Sequence, residues 1–153
     1  MVENARGDGL TRRFLLAAAC VGGTGLGGVG RAWARDDATD LVEQLTGRKP
    51  RASDRVRLTM PPVFPNGYTV PLALEVDSPM TESDHVTAVR VLAPRNPLVE
   101  VATFRFTPAS GLARVSTRIR LAQPQHVIAV AELSDGTLLM AKAWVEVATN
   151  GCA

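Results

Sequence analysis

From Asp54 onward, apolar and polar residues alternate with a period of two, the signature of strands with one buried face. In Asp54–Met60, Val56, Leu58 and Met60 alternate with Arg55, Arg57 and Thr59. Asn66-Gly67 marks a turn. In Tyr68–Val76, Val70, Leu72, Leu74 and Val76 share a face, with Pro71 on the other. A proline cannot donate to a ladder, so this strand is expected at an edge or a bulge. The loop Asp77–Asp84 follows, then strands at Val86–Ala93 and Val99–Phe106. Next, Val115, Thr117, Ile119 and Leu121 oppose Arg114, Ser116, Arg118 and Arg120. The last two strands, Val127–Leu133 and Thr137–Val147, flank Asp135-Gly136, which predicts a two-residue hairpin with positive φ at both positions.

Ahead of these strands, residues 35–53 read as a lead-in. Asp40 is placed to cap a helical turn, with Glu43 three residues on as in a capping box. Leu41, Val42 and Leu45 share a face, and Gly47 stops the turn. Arg48-Lys49-Pro50-Arg51 reads as a solvated loop. About seven short strands, with turn residues between them and no long helix, predict an all-β protein: an immunoglobulin-like antiparallel β-sandwich over residues 54–147. A short N-terminal helix precedes it, and a flexible C-terminal arm, residues 148–153, follows.

Composition changes the picture at the N-terminus. Eight of the thirteen glycines lie in residues 1–34, and all ten prolines lie at or after Pro50. Thr11-Arg12-Arg13-Phe14-Leu15-Leu16 is a twin arginine before an apolar run, and a weakly hydrophobic Gly/Ala stretch leads to Ala32-Trp33-Ala34. This order predicts a bacterial Tat signal peptide cleaved between Ala34 and Arg35. The run of glycines makes a poor membrane anchor. Cys20 is lost with the leader. Lipidation needs an apolar residue, usually leucine, three positions before the cysteine, and Ala17 stands there, so lipidation is not expected. The expected location is the periplasm, with no membrane attachment after cleavage.

The chain carries a net charge of +2, but residues 35–153 hold thirteen basic and thirteen acidic side chains. A neutral exported chain gives no electrostatic footprint for nucleic acid. The stripe Arg114, Arg118 and Arg120 reads as the solvent face of a sheet, with an anion or an acidic partner as the alternative. His85 and His126 are the only histidines and stand at no metal-ligand spacing. No metal site, cofactor or catalytic residue is expected. The one residue singled out by position is Cys152, flanked by the small residues Gly151 and Ala153 in the tail Ala148-Thr149-Asn150-Gly151-Cys152-Ala153. An exposed thiol in an oxidising compartment calls for pairing, modification or a covalent cargo. Three readings follow. The chain is a carrier presenting cargo on Cys152, an exported immunoglobulin-like binding or assembly module with an incidental or disulfide-forming tail cysteine, or a thiol-redox enzyme. The last lacks the Cys-x-x-Cys pair.

Several stretches carry a family resemblance. They are Asn66-Gly67-Tyr68-Thr69-Val70-Pro71, Val76-Asp77-Ser78-Pro79-Met80-Thr81, the run from Ala102 to Gly111, the run from Val115 to Leu121, and Val127-Ile128-Ala129-Val130-Ala131-Glu132. With the leader and the tail cysteine, they make the chain resemble the SoxY family, sulfur-carrier subunits of the bacterial thiosulfate-oxidising Sox system. The resemblance implies a non-enzymatic carrier paired with a second β-sandwich subunit, SoxZ. It implies that Cys152 holds the sulfur intermediate as a thiosulfonate or persulfide, with Asn150, Gly151 and Ala153 as the carrier arm. It also implies periplasmic partner enzymes: a haem protein that conjugates thiosulfate, a manganese hydrolase that releases sulfate, and a sulfur dehydrogenase. The family's arm usually ends Gly-Gly-Cys-Gly-Gly. Here Asn150 and Ala153 replace glycines and the last residue is absent, which implies a stiffer, shorter arm.

Overall fold

The computed structural model describes residues 37–148. The predicted leader, with Arg12, Arg13, Cys20, Ala32, Ala34 and Arg35, lies outside the described residues.

One helix, α1 (Asp37–Thr46), precedes nine strands. These are β1 (Arg51–Ala52), β2 (Val56–Thr59), β3 (Val63–Phe64), β4 (Val70–Val76), β5 (Val86–Leu92), β6 (Glu100–Arg105), β7 (Ala113–Ile119), β8 (Gln125–Leu133) and β9 (Leu138–Val147). A six-stranded sheet runs β1-β9-β8-β5-β6, with β3 also on β9, and a three-stranded sheet runs β2-β4-β7. The fold is an all-β, immunoglobulin-like sandwich. Its core lies between the inner faces, where the alternating Val70, Leu72, Leu74 and Val76 of β4 are at most 4% exposed. They meet Val89 and Val91 of β5 and Val127 and Ala129 of β8 in the same apolar cluster. The pairs within each sheet are antiparallel except β1 and β3, which run parallel to β9.

Several expectations are corrected. Among the described residues the helix runs Asp37–Thr46, so Asp40 lies inside it and is not its N-cap. Its buried face is Ala38 and Val42, with Leu41 packed beside them, while Leu45 is 46% exposed. Spacing explains this, because Ala38 and Val42 are one turn apart and both face Ile128, Val130 and Met140 on the outer side of the large sheet. Burying Val42 contributes about 1.5–3 kcal/mol. Gly47, at φ 69, ends the helix, and its N–H donates to the Glu43 carbonyl at 2.8 Å.

Arg48 stands exposed in its loop, as expected, and is also tied down: it donates to the Gly136 carbonyl at 2.6 Å and forms an ion pair with Glu132, joining the lead-in to the β8–β9 hairpin. That hairpin is not a two-residue turn. The Gly136 N–H donates to the Leu133 carbonyl and the Leu133 N–H to the Thr137 carbonyl, and only Gly136 has positive φ. This is a three-residue loop whose last residue is left-handed. β4 is the central strand of its sheet, not an edge. Pro71 is nevertheless accommodated, because β2 reaches only to the Thr59–Ala73 pair and leaves β4 paired on one side at Pro71. The strands number nine among the described residues instead of about seven. The added two, β1 and β3, are two residues each, too short to show alternation.

Candidate functional site

Asn150, Gly151, Cys152 and Ala153, the arm predicted from sequence, lie outside the described residues. The structure shows where that arm is rooted. β3 pairs with β9 at Glu146 and Val147. Beyond it, the Ala148 N–H donates to the Phe64 carbonyl at 3.3 Å. Val147 is 2% exposed, so β9 stays anchored in the core up to one residue before the last described position.

Ala148 also lines a groove of about 750 Å³. The groove exists because β6 and β7 are both terminal strands of their sheets, so the sandwich is open between them. Its apolar wall comes from Val101 and Phe104 near β6, Ile119 of β7, and Leu121 and Val147. Tyr68 and Leu98, 49% and 72% exposed, stand among its lining residues.

Hydrogen bonds hold this wall in shape. The Tyr68 N–H donates to Asn66 Oδ1 at 2.9 Å, and the Leu121 N–H donates to the Gly67 carbonyl at 2.8 Å. A Cβ on Gly67 would lie 1.9 Å from the Leu121 carbonyl oxygen, so only glycine permits this approach. On the other side, Asn96 Oδ1 accepts from the Ala122 N–H and from Gln125 Nε2, while Asn96 Nδ2 donates to the Arg120 carbonyl at 2.8 Å. Gln125 is 1% exposed, and its Oε1 accepts from the Arg95 N–H at 2.7 Å. A buried amide with its bonds made fixes the loop it holds.

The arginine stripe is split by strand register. Glu75 of β4 stands opposite Arg114 and pairs with it at 2.8 Å, and with Arg57 at 3.3 Å. Arg118 and Arg120 line the groove and have no carboxylate within ion-pair distance among the described residues. The Arg120 guanidinium lies over the Tyr68 ring, 4.9 Å from its centroid. No aspartate or glutamate lines the groove.

The two histidines are engaged elsewhere. His85 Nδ1 is 3.0 Å from the Thr81 carbonyl, and His126 packs edge-on to Trp144 at 5.0 Å. No group of three metal-ligating side chains occurs among the described residues. No described helix is long and apolar enough to cross a membrane. Local sequence patterns do not reveal the groove or its supports Asn96 and Gln125; Gly67 is expected there only as a turn residue, and Leu98, which lines the groove, is not singled out. One signal was present: Gln125 is a polar residue opening an apolar run, Val127–Ala131.

Comparison with known proteins adds the family. No curated protein matches the chain. Among solved structures, the sulfur carrier protein SoxY from Chlorobium limicola f thiosulfatophilum matches at 26% identity with a TM-score of 0.58, covering 71% of this chain and 93% of that one. A superoxide reductase (neelaredoxin) from Ignicoccus hospitalis, at 13% identity and a TM-score of 0.56, covers 64% of this chain and 94% of its own. A putative superoxide reductase from Thermotoga maritima, at 18% identity and 0.53, covers 64% and 93%. These last two share the fold alone. The family model for the sulfur oxidation protein SoxY matches residues 42–152, a span that takes in the whole described sandwich and reaches Cys152. By that match the chain belongs to the SoxY family of sulfur oxidation proteins.

Proposed function

We propose that this chain is a non-catalytic sulfur carrier that holds thiosulfate-derived sulfur on Cys152 and presents it to enzymes of the periplasm. The family match through Cys152 carries this reading. The anchored end of β9 supports it: Cys152 lies four positions beyond Ala148, a reach of about 13–14 Å from a fixed root. The groove beside that root lies within this reach, and its apolar wall can keep an S-linked adduct away from water.

Loading joins the Cys152 thiolate to the outer sulfur of thiosulfate and releases two electrons, which the thiosulfate-conjugating haem protein takes up. Water then cleaves the terminal sulfonate as sulfate on the manganese hydrolase, leaving a persulfide on Cys152 for a sulfur dehydrogenase. No resident cofactor is involved, and the cargo is the covalent sulfur itself. SoxZ is the expected partner subunit, as membership of the family implies. Export follows the Tat route, with Arg12 and Arg13 as its signal and Arg35 as the first residue after cleavage between Ala34 and Arg35.

The test is mass spectrometry of the protein from thiosulfate-grown cells. Sulfur adducts confined to the Cys152 peptide support the carrier. An unmodified or merely disulfide-linked Cys152 points to the exported binding or assembly module. Arg12→Lys combined with Arg13→Lys should hold the protein in the cytoplasm, and normal export of that variant contradicts the Tat route.

A further inference from the structure

We propose that Arg120, with Arg118 beside it on the β7 edge, makes the groove selective for a sulfonate-ended adduct of Cys152 over an uncharged one. The inference rests on the carrier reading and names the form of cargo that the groove prefers.

Four described arginines are neutralised: Arg48 by Glu132, Arg57 and Arg114 by Glu75, and Arg90 by Glu100. Arg118 and Arg120 are not, and the groove they line has no acidic residue. Arg120 is held by its face over Tyr68, which leaves its in-plane N–H donors available. A guanidinium fork matches the oxygens of a sulfonate. The neighbouring wall of Val101, Phe104 and Leu121 cannot replace the water lost by a small, fully hydrated anion. Sulfur, being polarizable, packs well on such a surface. An apolar wall with a cation at its rim fits an anion that has an apolar stem. An S-sulfonate on Cys152 is such a group, tethered within reach. The Arg120 main-chain carbonyl takes the Asn96 hydrogen bond, so the side chain can be changed without removing that support.

The test uses the full chain with Cys20→Ser, in which Cys152 is the sole thiol. Cys152 is first converted to a mixed disulfide with thionitrobenzoate. Sulfite then attacks the Cys152 sulfur and displaces thionitrobenzoate as its thiolate, giving the S-sulfonate with no added oxidant. A second sample carries an uncharged methyl disulfide, made with methyl methanethiosulfonate. The readout is the rate at which 2-mercaptoethanol strips each group, relative to the same adduct on the free peptide Ala148–Ala153.

The S-sulfonate should be stripped more slowly on the protein than on the peptide. Arg120→Gln should speed its stripping by about threefold to tenfold, the range for losing one charged contact at an exposed site. Arg120→Lys should restore much of the protection, and the methyl adduct should respond to neither change. The same shielding for both adducts with no effect of Arg120→Gln overturns the proposal, as does no shielding of the S-sulfonate. Loading is chemical, so failure of the carrier reading shows separately, as a Cys152 that the thiosulfate-conjugating enzyme does not load while the stripping ratios stand.

Discussion

The two sides of the sandwich are finished differently. On one side the chain passes from β1 in the large sheet to β2 in the small sheet and back to β3, so a single stretch, Arg51–Phe64, ties the sheets together. On the other side β6 and β7 end their sheets with no strand between them, and the gap is the groove. Both sides use the same alternation of apolar residues. Strand order decides that one side is bridged by the chain, which buries Val56 but leaves Val63 exposed, while the other has no bridging strand and leaves Tyr68 and Leu98 in view. Ala148, the last described residue, lines the groove while its N–H donates to the carbonyl of Phe64 on the closed side. On the proposed function, the core and the bridged side carry stability and the open side is kept for the cargo.

Substitutions in the core between the sheets and at the open side should separate stability from cargo handling. The largest effect is expected at Leu72, 1% exposed in the core. Leu72→Ala should cost about 2–5 kcal/mol in a urea melt. Leu98→Ala, at the groove and 72% exposed, should stay within about 0.5 kcal/mol. Equal costs would erase the distinction.

Gly67→Ala comes next, because it forces a Cβ against the Leu121 carbonyl. A cost of about 1–3 kcal/mol is expected, as for other overpacked sites, together with weaker shielding of a Cys152 adduct. A neutral Gly67→Ala would mean that the groove wall gives way freely.

The smallest effect belongs to the β8–β9 hairpin, away from the groove. Asp135 has its carboxyl held below the ordinary carboxylate value, first by the Thr137 N–H and then by the Thr137 hydroxyl, each donating to it. A lowered folded-state pKa stabilises above the unfolded value and is lost as pH falls through the folded one. Asp135→Ala should therefore lower Tm slightly at neutral pH, and the gap from the parent should close in acid. A gap that persists at the lowest pH contradicts this assignment.

The longer strands were legible because each has enough residues for alternation to repeat: Val70 to Val76 and Ala113 to Ile119 show it on inspection. β1 and β3 were not, at two residues each. The place of β4 was misread from Pro71, since a proline reports only that one local hydrogen bond is missing. The division of the arginines was hidden too. Glu75 and Arg114 are 39 residues apart, and only the β4–β7 register makes them neighbours. The groove depends on which strands end the sheets, a long-range property that no local pattern encodes. Cys152 is singled out only by its position in the tail and lies outside the described residues, which show how β9 is held up to Ala148.

The central claim is that Cys152 carries the sulfur. The most direct measurement is thiosulfate-dependent electron release in a reconstituted system of the chain, its partner subunit and the Sox enzymes, comparing the parent with Cys152→Ser. The substitution replaces one small side chain by another of similar size and should leave the melting curve unchanged. The account expects electron release and Cys152-linked sulfur adducts with the parent and neither with Cys152→Ser. Electron release at the parental rate from Cys152→Ser would contradict it.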